Sequence, residues 1–118
     1  MTNILITGAN RGIGLGFVKK YIEKKVHLMC ITRDISGSKE LLAYKEEYPN
    51  KKVCMIFQPH RFTRTAQLFD DFVKVLNQTD SLILLDIYSA SEKPIKGIHS
   101  RTIAETIKQL GHKDVTYI

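Results

Sequence analysis

Short apolar runs alternate with segments of helical periodicity along the whole chain. The apolar runs predict strands at about residues 4–6, 26–32, 53–57, 81–87 and 115–118. The periodic segments predict helices at about residues 12–25, 38–48 and 65–77, and a last helix that Ser100 caps and Gly111 ends. Strict alternation with short connections is typical of stacked βαβ units around a parallel sheet.

This pattern predicts one three-layer α/β domain over residues 1–118, with a five-stranded parallel sheet of Rossmann-like type. Right-handed crossovers still permit more than one strand order. We favour 3-2-1-4-5, and the flavodoxin-like order 2-1-3-4-5 is the alternative. The unbroken apolar run at 53–57 predicts a third strand that is covered on both faces.

Composition agrees with a small globular domain. The chain has 118 residues, of which 43% are hydrophobic and 25% charged, and no apolar run approaches the roughly 20 residues of a membrane span. The N-terminus enters a strand pattern without the features of a secretion signal, so we expect a cytoplasmic protein without a membrane partner. Cys30 and Cys54 fall in predicted strands, which favours two buried thiols and no metal site.

The net charge of +6 favours anionic partners. The lysines are scattered and no nucleic-acid motif is present, so we expect a nucleotide or phosphate ligand rather than nucleic acid. An open edge strand would allow weak self-association, and we expect a monomer or a weak dimer.

A glycine-rich loop follows the first predicted strand and reads Thr7-Gly8-Ala9-Asn10-Arg11-Gly12-Ile13-Gly14. Glycines let a backbone turn tightly and approach a ligand closely. The helix start behind them offers free N–H groups and a partial positive charge to a phosphate. We predict a cofactor-binding loop made of Gly8, Asn10, Arg11, Gly12, Ile13 and Gly14.

Over residues 3–34 the chain resembles the short-chain dehydrogenase/reductases, and the resemblance extends loosely over residues 1–50. It implies that the loop binds a dinucleotide, and that Arg33 after the second strand favours NADP(H). The family's Asn-Asn-Ala-Gly, its serine and its substrate segment are absent from the sequence. Tyr21 and Lys25 spell the family's Tyr-x-x-x-Lys, but they lie on the first predicted helix, so we assign no catalytic residue.

From residue 53 onward the chain resembles a different family. The runs Phe57-Gln58-Pro59-His60-Arg61-Phe62-Thr63-Arg64 and Tyr88-Ser89-Ala90-Ser91-Glu92 are similar to the C-terminal domain of UDP-N-acetylmuramate–alanine ligases in the Mur ligase family. Ser91 departs from that family, which usually has glycine there. The resemblance implies ligand contacts at the strand ends through His60, Arg61, Arg64, Asp86 and Tyr88.

Simpler roles for these side chains stay open. His60 would cap the next helix, Arg61 and Arg64 would be solvated, Asp86 would bind loop N–H groups, and Tyr88 would pack over the sheet edge. In a parallel sheet all these residues and the glycine loop share the carboxyl edge, so we expect one arginine-rich anion site.

The two resemblances meet near residues 50–53, which predicts a chimera of an engineered kind, or otherwise a natural fusion. The expected function is a Rossmann-like scaffold with incomplete catalytic machinery, which requires no cofactor and retains weak phosphate or dinucleotide binding. One alternative is a non-catalytic NADP(H)-binding module. Another is a basic nucleic-acid-binding or regulatory domain.

Overall fold

The computed structural model describes residues 2–32 and 38–118. Its strands are β1 (Thr2–Thr7), β2 (Val26–Thr32), β3 (Cys54–Phe57), β4 (Ser81–Leu84) and β5 (Val115–Tyr117). Its helices are α1 (Gly12–Tyr21), α2 (Ser38–Glu47), α3 (Phe62–Gln67), α4 (Phe69–Leu76) and α5 (Ser100–Gln109). The strands form one five-stranded, all-parallel sheet, which confirms the predicted α/β class.

One predicted helix is divided. The pattern at 65–77 predicts a single helix, whereas α3 and α4 meet at Leu68, whose φ of −107° and ψ of 15° leave the helical region. Helical structure also begins three residues earlier than predicted, at Phe62. Periodicity alone does not reveal the break, because the apolar stripe lies in Leu68 and α4, whereas the buried residue of α3 is Thr65.

The strand order is β1-β2-β3-β4-β5, so both predicted orders are wrong. A contact that pattern analysis does not reveal holds β4 beside β3. The Val53 carbonyl accepts from the N–H groups of Asp80 and Ser81 at 3.0 and 3.1 Å, and Asp80 Oδ2 accepts from the Val53 N–H at 2.7 Å. The alternation of elements specifies parallel pairing, but it does not specify which neighbour each strand takes.

Two layers, rather than the predicted three, make up the described structure. When every right-handed crossover leads to the next strand in line, all helices lie on one face of the sheet. The buried strand residues accordingly form one register row on the helix-covered face: Ile6, Cys30, Met55, Leu82 and Val115. They share one hydrophobic core with α1, α2, α4 and α5.

The side chains on the opposite face of the sheet are at most half-buried. Ile31, Ile56 and Ile83 form a register row there and are half-buried, so β3 is not covered on both faces as predicted. The two free thiols differ in burial because they lie on opposite faces of the sheet. Cys30, on the helix-covered face, is buried, whereas Cys54 is half-buried. Burial raises the pKa of the Cys30 thiol to about 11, which makes this cysteine inert at neutral pH.

Candidate functional site at the carboxyl edge of the sheet

The glycine loop makes a tight turn between β1 and α1. Gly8 and Gly12 have φ of 61° and 52°, a conformation that favours glycine. A Cβ on Gly14 would lie 2.2 Å from the Gly8 carbonyl oxygen, so the start of α1 packs directly on the end of β1. The loop is also joined to β2, since the Ala9 N–H donates to the Ile31 carbonyl at 3.3 Å. The sequence pattern therefore marks a real structural requirement for glycine.

The N-terminus of α1 has the electrostatics of an anion site. Arg11 occupies the N-cap position with an extended backbone and makes no side-chain capping bond, and the first turn contains no acidic residue. Arg11, Gly12 and Ile13 are exposed, and Ile13 is 82% exposed. Asn10, by contrast, is buried within the loop. The helix N-terminus and one full positive charge thus face solvent together.

Arg33 and Tyr21 are two other residues of the N-terminal half that the sequence analysis singled out. Arg33, the residue expected to select NADP(H), lies outside the described residues. Tyr21 stacks on Phe17 with ring centroids 6.4 Å apart, and Lys24 Nζ lies 5.4 Å from the Tyr21 ring centroid. Tyr21 ends α1, whose first residue is at the glycine loop, so it lies at the far end of the helix from that loop.

A second group of predicted residues lies where β3 and β4 end. His60 and Tyr88 form an isolated parallel bridge beyond the two strands. The Tyr88 N–H donates to the Pro59 carbonyl at 2.9 Å, and the Arg61 N–H donates to the Tyr88 carbonyl at 2.8 Å. The two rings stack with centroids 5.3 Å apart. His60 therefore extends the sheet rather than capping a helix, and Tyr88, which is 55% exposed, lies over it.

Arg61 has an unusual backbone conformation. Its φ of 71° and ψ of 141° lie near a region that is almost confined to glycine. Its carbonyl accepts from the Thr65 N–H at 3.1 Å and from Thr65 Oγ1 at 2.7 Å, which anchors the residue at the start of α3. The Arg61 side chain is exposed, and Arg64, one turn further along α3, is half-buried.

Glu92 caps α3 from a distant loop. The carboxylate accepts from the Thr63 N–H at 3.0 Å and from Thr63 Oγ1 at 2.6 Å. These bonds with Thr63 hold the pKa of Glu92 below its ordinary value. The helix therefore begins at Phe62, before the first residue that the sequence pattern predicts.

Asp86 belongs to a polar cluster that the sequence analysis missed in large part. The Tyr117 hydroxyl donates to Asp86 Oδ1 at 2.5 Å, and His99 Nε2 lies 3.8 Å from the same oxygen. The bond to Asp86 raises the pKa of Tyr117. The Arg101 guanidinium lies 5.4 Å from the Tyr117 ring centroid. The Asp86 carboxylate therefore contacts the side chains of Tyr117, in β5, and of His99, the N-cap of α5.

The beginning of α5 differs by one residue from the prediction. His99 is the N-cap, since its Nδ1 accepts from the Arg101 N–H at 2.9 Å. Ser100 instead donates its hydroxyl to the Leu85 carbonyl at 2.6 Å and is buried. The sequence offered one signal for the polar cluster around Asp86. Its other members lie at the ends of elements, where functional residues are common: His99 and Arg101 at the start of α5, and Tyr117 at the end of β5.

The strand order divides the predicted edge into two separate groups. The glycine loop follows β1, whereas His60 and Arg61 follow β3, with β2 between them. At about 4.8 Å between neighbouring strands, β1 is about 10 Å from β3 and about 14 Å from β4. The order 1-2-3-4-5 also has no reversal, so the crevice of a topological switch point does not form. Among the described residues, the glycine loop and the residues that follow β3 and β4 therefore do not lie side by side.

No model of a known protein family matches the chain. No helix within residues 2–32 and 38–118 is long and apolar enough to cross a membrane. In that described part of the chain, no three His, Cys, Asp or Glu side chains gather closely enough to hold a metal ion. The class defined by the fold and the edge is thus a parallel α/β domain with a glycine-rich strand-to-helix loop.

Proposed function

We propose that the chain is a chimeric, non-catalytic, Rossmann-derived scaffold that binds the phosphate of a nucleotide at its glycine loop. The contact of Gly14 with the Gly8 carbonyl carries the proposal. It places the uncapped N-terminus of α1 directly beyond the end of β1, which is where a phosphate-binding turn presents its N–H groups. Arg11 adds a full positive charge beside these groups.

The binding that we propose is that of a half-site. The second group of cationic residues lies about 10 Å away, beyond β2, so the glycine loop holds one phosphate group without help from Arg61 or Arg64. We propose that Arg33, which follows β2 in the chain, supplies a preference for NADP(H) over NAD(H). Weak affinity follows from the small number of contacts that one loop, Arg11 and Arg33 provide.

Features on both sides of the junction at residues 50–53 support the chimeric origin. Ser91 has a φ of 69°, a conformation that glycine adopts more readily than serine does. It occupies a position where the Mur ligase family usually has glycine. On the N-terminal side, the glycines of the loop have positive φ at Gly8 and Gly12 and a close approach at Gly14, which supports the dehydrogenase/reductase resemblance. Within residues 2–32 and 38–118, one short pairing joins the two segments in the sheet, that of Met29–Thr32 with Cys54–Phe57.

The test is a set of melting curves with millimolar NADPH, NADH and ATP. Ligand at about 100 times its dissociation constant stabilises a fold by about 2.7 kcal/mol, which raises the melting temperature of a domain of this size by several degrees. We expect a rise with NADPH, and a smaller rise with NADH. Arg33→Asp should reverse that order or abolish the rise.

Charge-matched variants locate the binding. Arg11→Glu should remove the rise, because it places a carboxylate beside the helix N-terminus. Lys20→Glu changes the net charge by the same amount, but it lies in the last turn of the same helix. The rise in melting temperature should therefore persist in this variant. The proposal is wrong if no nucleotide shifts a cooperative melt, or if Arg61→Ala removes the shift while Arg11→Glu does not.

A further inference from the structure

A cavity of about 910 Å³ opens at the amino edge of the sheet, at the end opposite the glycine loop. It exists because β2 and β3 diverge there. β2 pairs with β1 from Val26 onward, but with β3 only from Met29 onward. Val53, just before β3, is bonded to Asp80 instead, which draws that end of the chain toward β4. A slot therefore separates the beginning of β2 from residues 50–53.

The inner wall of the slot is apolar. It is made by Val18 of α1, Ile22 directly after α1, Leu28 and Cys30 of β2, and Leu41 of α2. Cys54, at the beginning of β3, also lines the slot, so both cysteines of the chain are part of its wall. A volume of this size lies at the upper end of the range for small-molecule pockets, and apolar cavities of smaller size already take up apolar guests.

The mouth of the slot carries an excess of positive charge. Lys25, Lys51 and Lys52 lie there with Asp80 and Asp114. Lys51 Nζ donates to the Lys24 carbonyl, and Asp80 accepts from the Val53 N–H, so these two groups are engaged within the chain. Lys25 and Lys52 are exposed at the rim. An apolar interior below a cationic rim complements a molecule with an aliphatic tail and one anionic head.

We propose that this slot binds a single-chain aliphatic carboxylate, with its tail among the apolar side chains and its head at Lys25 and Lys52. The site is independent of the proposed nucleotide site, because it lies at the other edge of the sheet. Binding would fill a gap between the N-terminal and C-terminal segments of the chain.

The first experiment is calorimetric titration with dodecanoate below its micelle concentration. Dodecanol and dodecyltrimethylammonium serve as neutral and cationic probes with the same tail. We expect dodecanoate to bind at least tenfold more tightly than dodecanol, and the cationic probe to bind most weakly. Each methylene removed from the carboxylate should weaken binding roughly fourfold, as expected for burial of the tail. Equal affinity for the three probes, or no dependence on tail length, would refute the proposal.

The cysteines give a second readout that does not depend on heat of binding. Dodecanoate should slow the reaction of Cys54 with the neutral reagent N-ethylmaleimide severalfold, as measured by intact-protein mass spectrometry. Cys30 should react slowly with or without dodecanoate, because it is buried. If saturating dodecanoate leaves the Cys54 rate unchanged, the tail does not occupy the slot.

Two pairs of variants separate the site from general effects. Leu41→Phe fills the slot and should weaken dodecanoate binding tenfold or more. Leu42→Phe changes the neighbouring residue of α2, which lines a different pocket, and should leave binding unchanged. Lys52→Glu should weaken binding, whereas Lys108→Glu, on α5, should not. The proposal is abandoned if both members of either pair behave alike while the melts remain cooperative.

Discussion

At the scale of single residues, backbone strain marks the loops beyond β3 and β4. Among the described residues, positive φ at non-glycine positions occurs at Arg61, Ala90 and Ser91. Such conformations cost on the order of 1–3 kcal/mol each and persist only where the surroundings hold them. For Arg61 the surroundings are bonds to Tyr88 and Thr65. No sequence pattern reveals this strain, because arginine is an ordinary residue at the start of a helix.

Replacing Arg61 separates strain from charge. Arg61→Gly should stabilise the fold by about 1 kcal/mol, since relief of strain outweighs the greater chain entropy of unfolded glycine. Arg61→Ala loses the same charge but keeps the strain, so its stability should change by less than about 0.5 kcal/mol. Urea unfolding at neutral pH measures both variants. Equal stability of the glycine and alanine variants would show that Arg61 is not strained.

At the scale of elements, Gly14 and Gly16, two of the three glycines of α1, should respond to alanine with opposite signs. Gly14→Ala forces a Cβ to within 2.2 Å of the Gly8 carbonyl and should cost about 3 kcal/mol. Gly16→Ala meets no atom within 4 Å and should stabilise the helix by about 0.5–1 kcal/mol. Thermal melts of both variants decide the point. A well-tolerated Gly14→Ala would mean that α1 does not pack on the end of β1.

The cap of α3 by Glu92 should give a pH-dependent contribution to stability. The pKa of Glu92 is lower in the folded protein than its ordinary value of 4.5. Its contribution is therefore complete above the ordinary pKa, and it is lost as the pH falls through the lowered value. Glu92→Gln should accordingly be less stable than the parent at pH 7, and the two proteins should converge near pH 2.

The control for this cap is Glu105→Gln, which removes one carboxylate from the exposed face of α5. It should follow the parent protein at every pH, as measured by urea midpoints between pH 2 and 7. If Glu92→Gln showed the same difference from the parent at pH 2 and pH 7, the carboxylate charge would not be the source of the cap's contribution.

The elements themselves were largely predictable from sequence, and their ends less so. Each predicted strand and helix has a counterpart, and β2 begins and ends where its apolar run does. The early start of α3 was not predictable, because its first turn is bonded to Glu92, which belongs to a distant part of the chain. The break at Leu68 was not predictable from apolar periodicity either. Local periodicity indicates which face of a helix or strand is buried. It does not indicate where α3 begins, because the bonds to Glu92 do not alter that pattern.

At the scale of the whole molecule, the strand order was the feature that the sequence left open. Parallel pairing follows from the alternation of strands and helices. The bonds between Val53 and Asp80, which join the beginnings of β3 and β4, carry no pattern of their own. The arrangement of the candidate site residues depends on this strand order. The glycine loop was predictable from its motif, whereas its separation from His60 and Arg61 depends entirely on which strands are neighbours.

Burial is distributed unevenly over the two segments of this sheet. Nearly all of the largest fully buried side chains lie in residues 53–118, among them Phe57, Leu82, Leu84 and Ile103. In the N-terminal segment, β1 has one buried residue and α1 has two. The slot between β2 and residues 50–53 further reduces the contact between the segments. Regions with few buried contacts open at lower free energy than the core does.

Hydrogen exchange in the native state should therefore divide the molecule at this junction. Amides of β4 and α5 should exchange only through global unfolding, because their side chains form the most deeply buried part of the core. Amides of β1 and α1 should exchange at least about tenfold faster, through an opening of the N-terminal segment that leaves β3, β4 and β5 paired. Ile103→Val serves as the control, since it should accelerate exchange in every protected element by lowering global stability. Uniform protection across both segments would instead mean that the single pairing between β2 and β3 suffices to unite them into one cooperative unit.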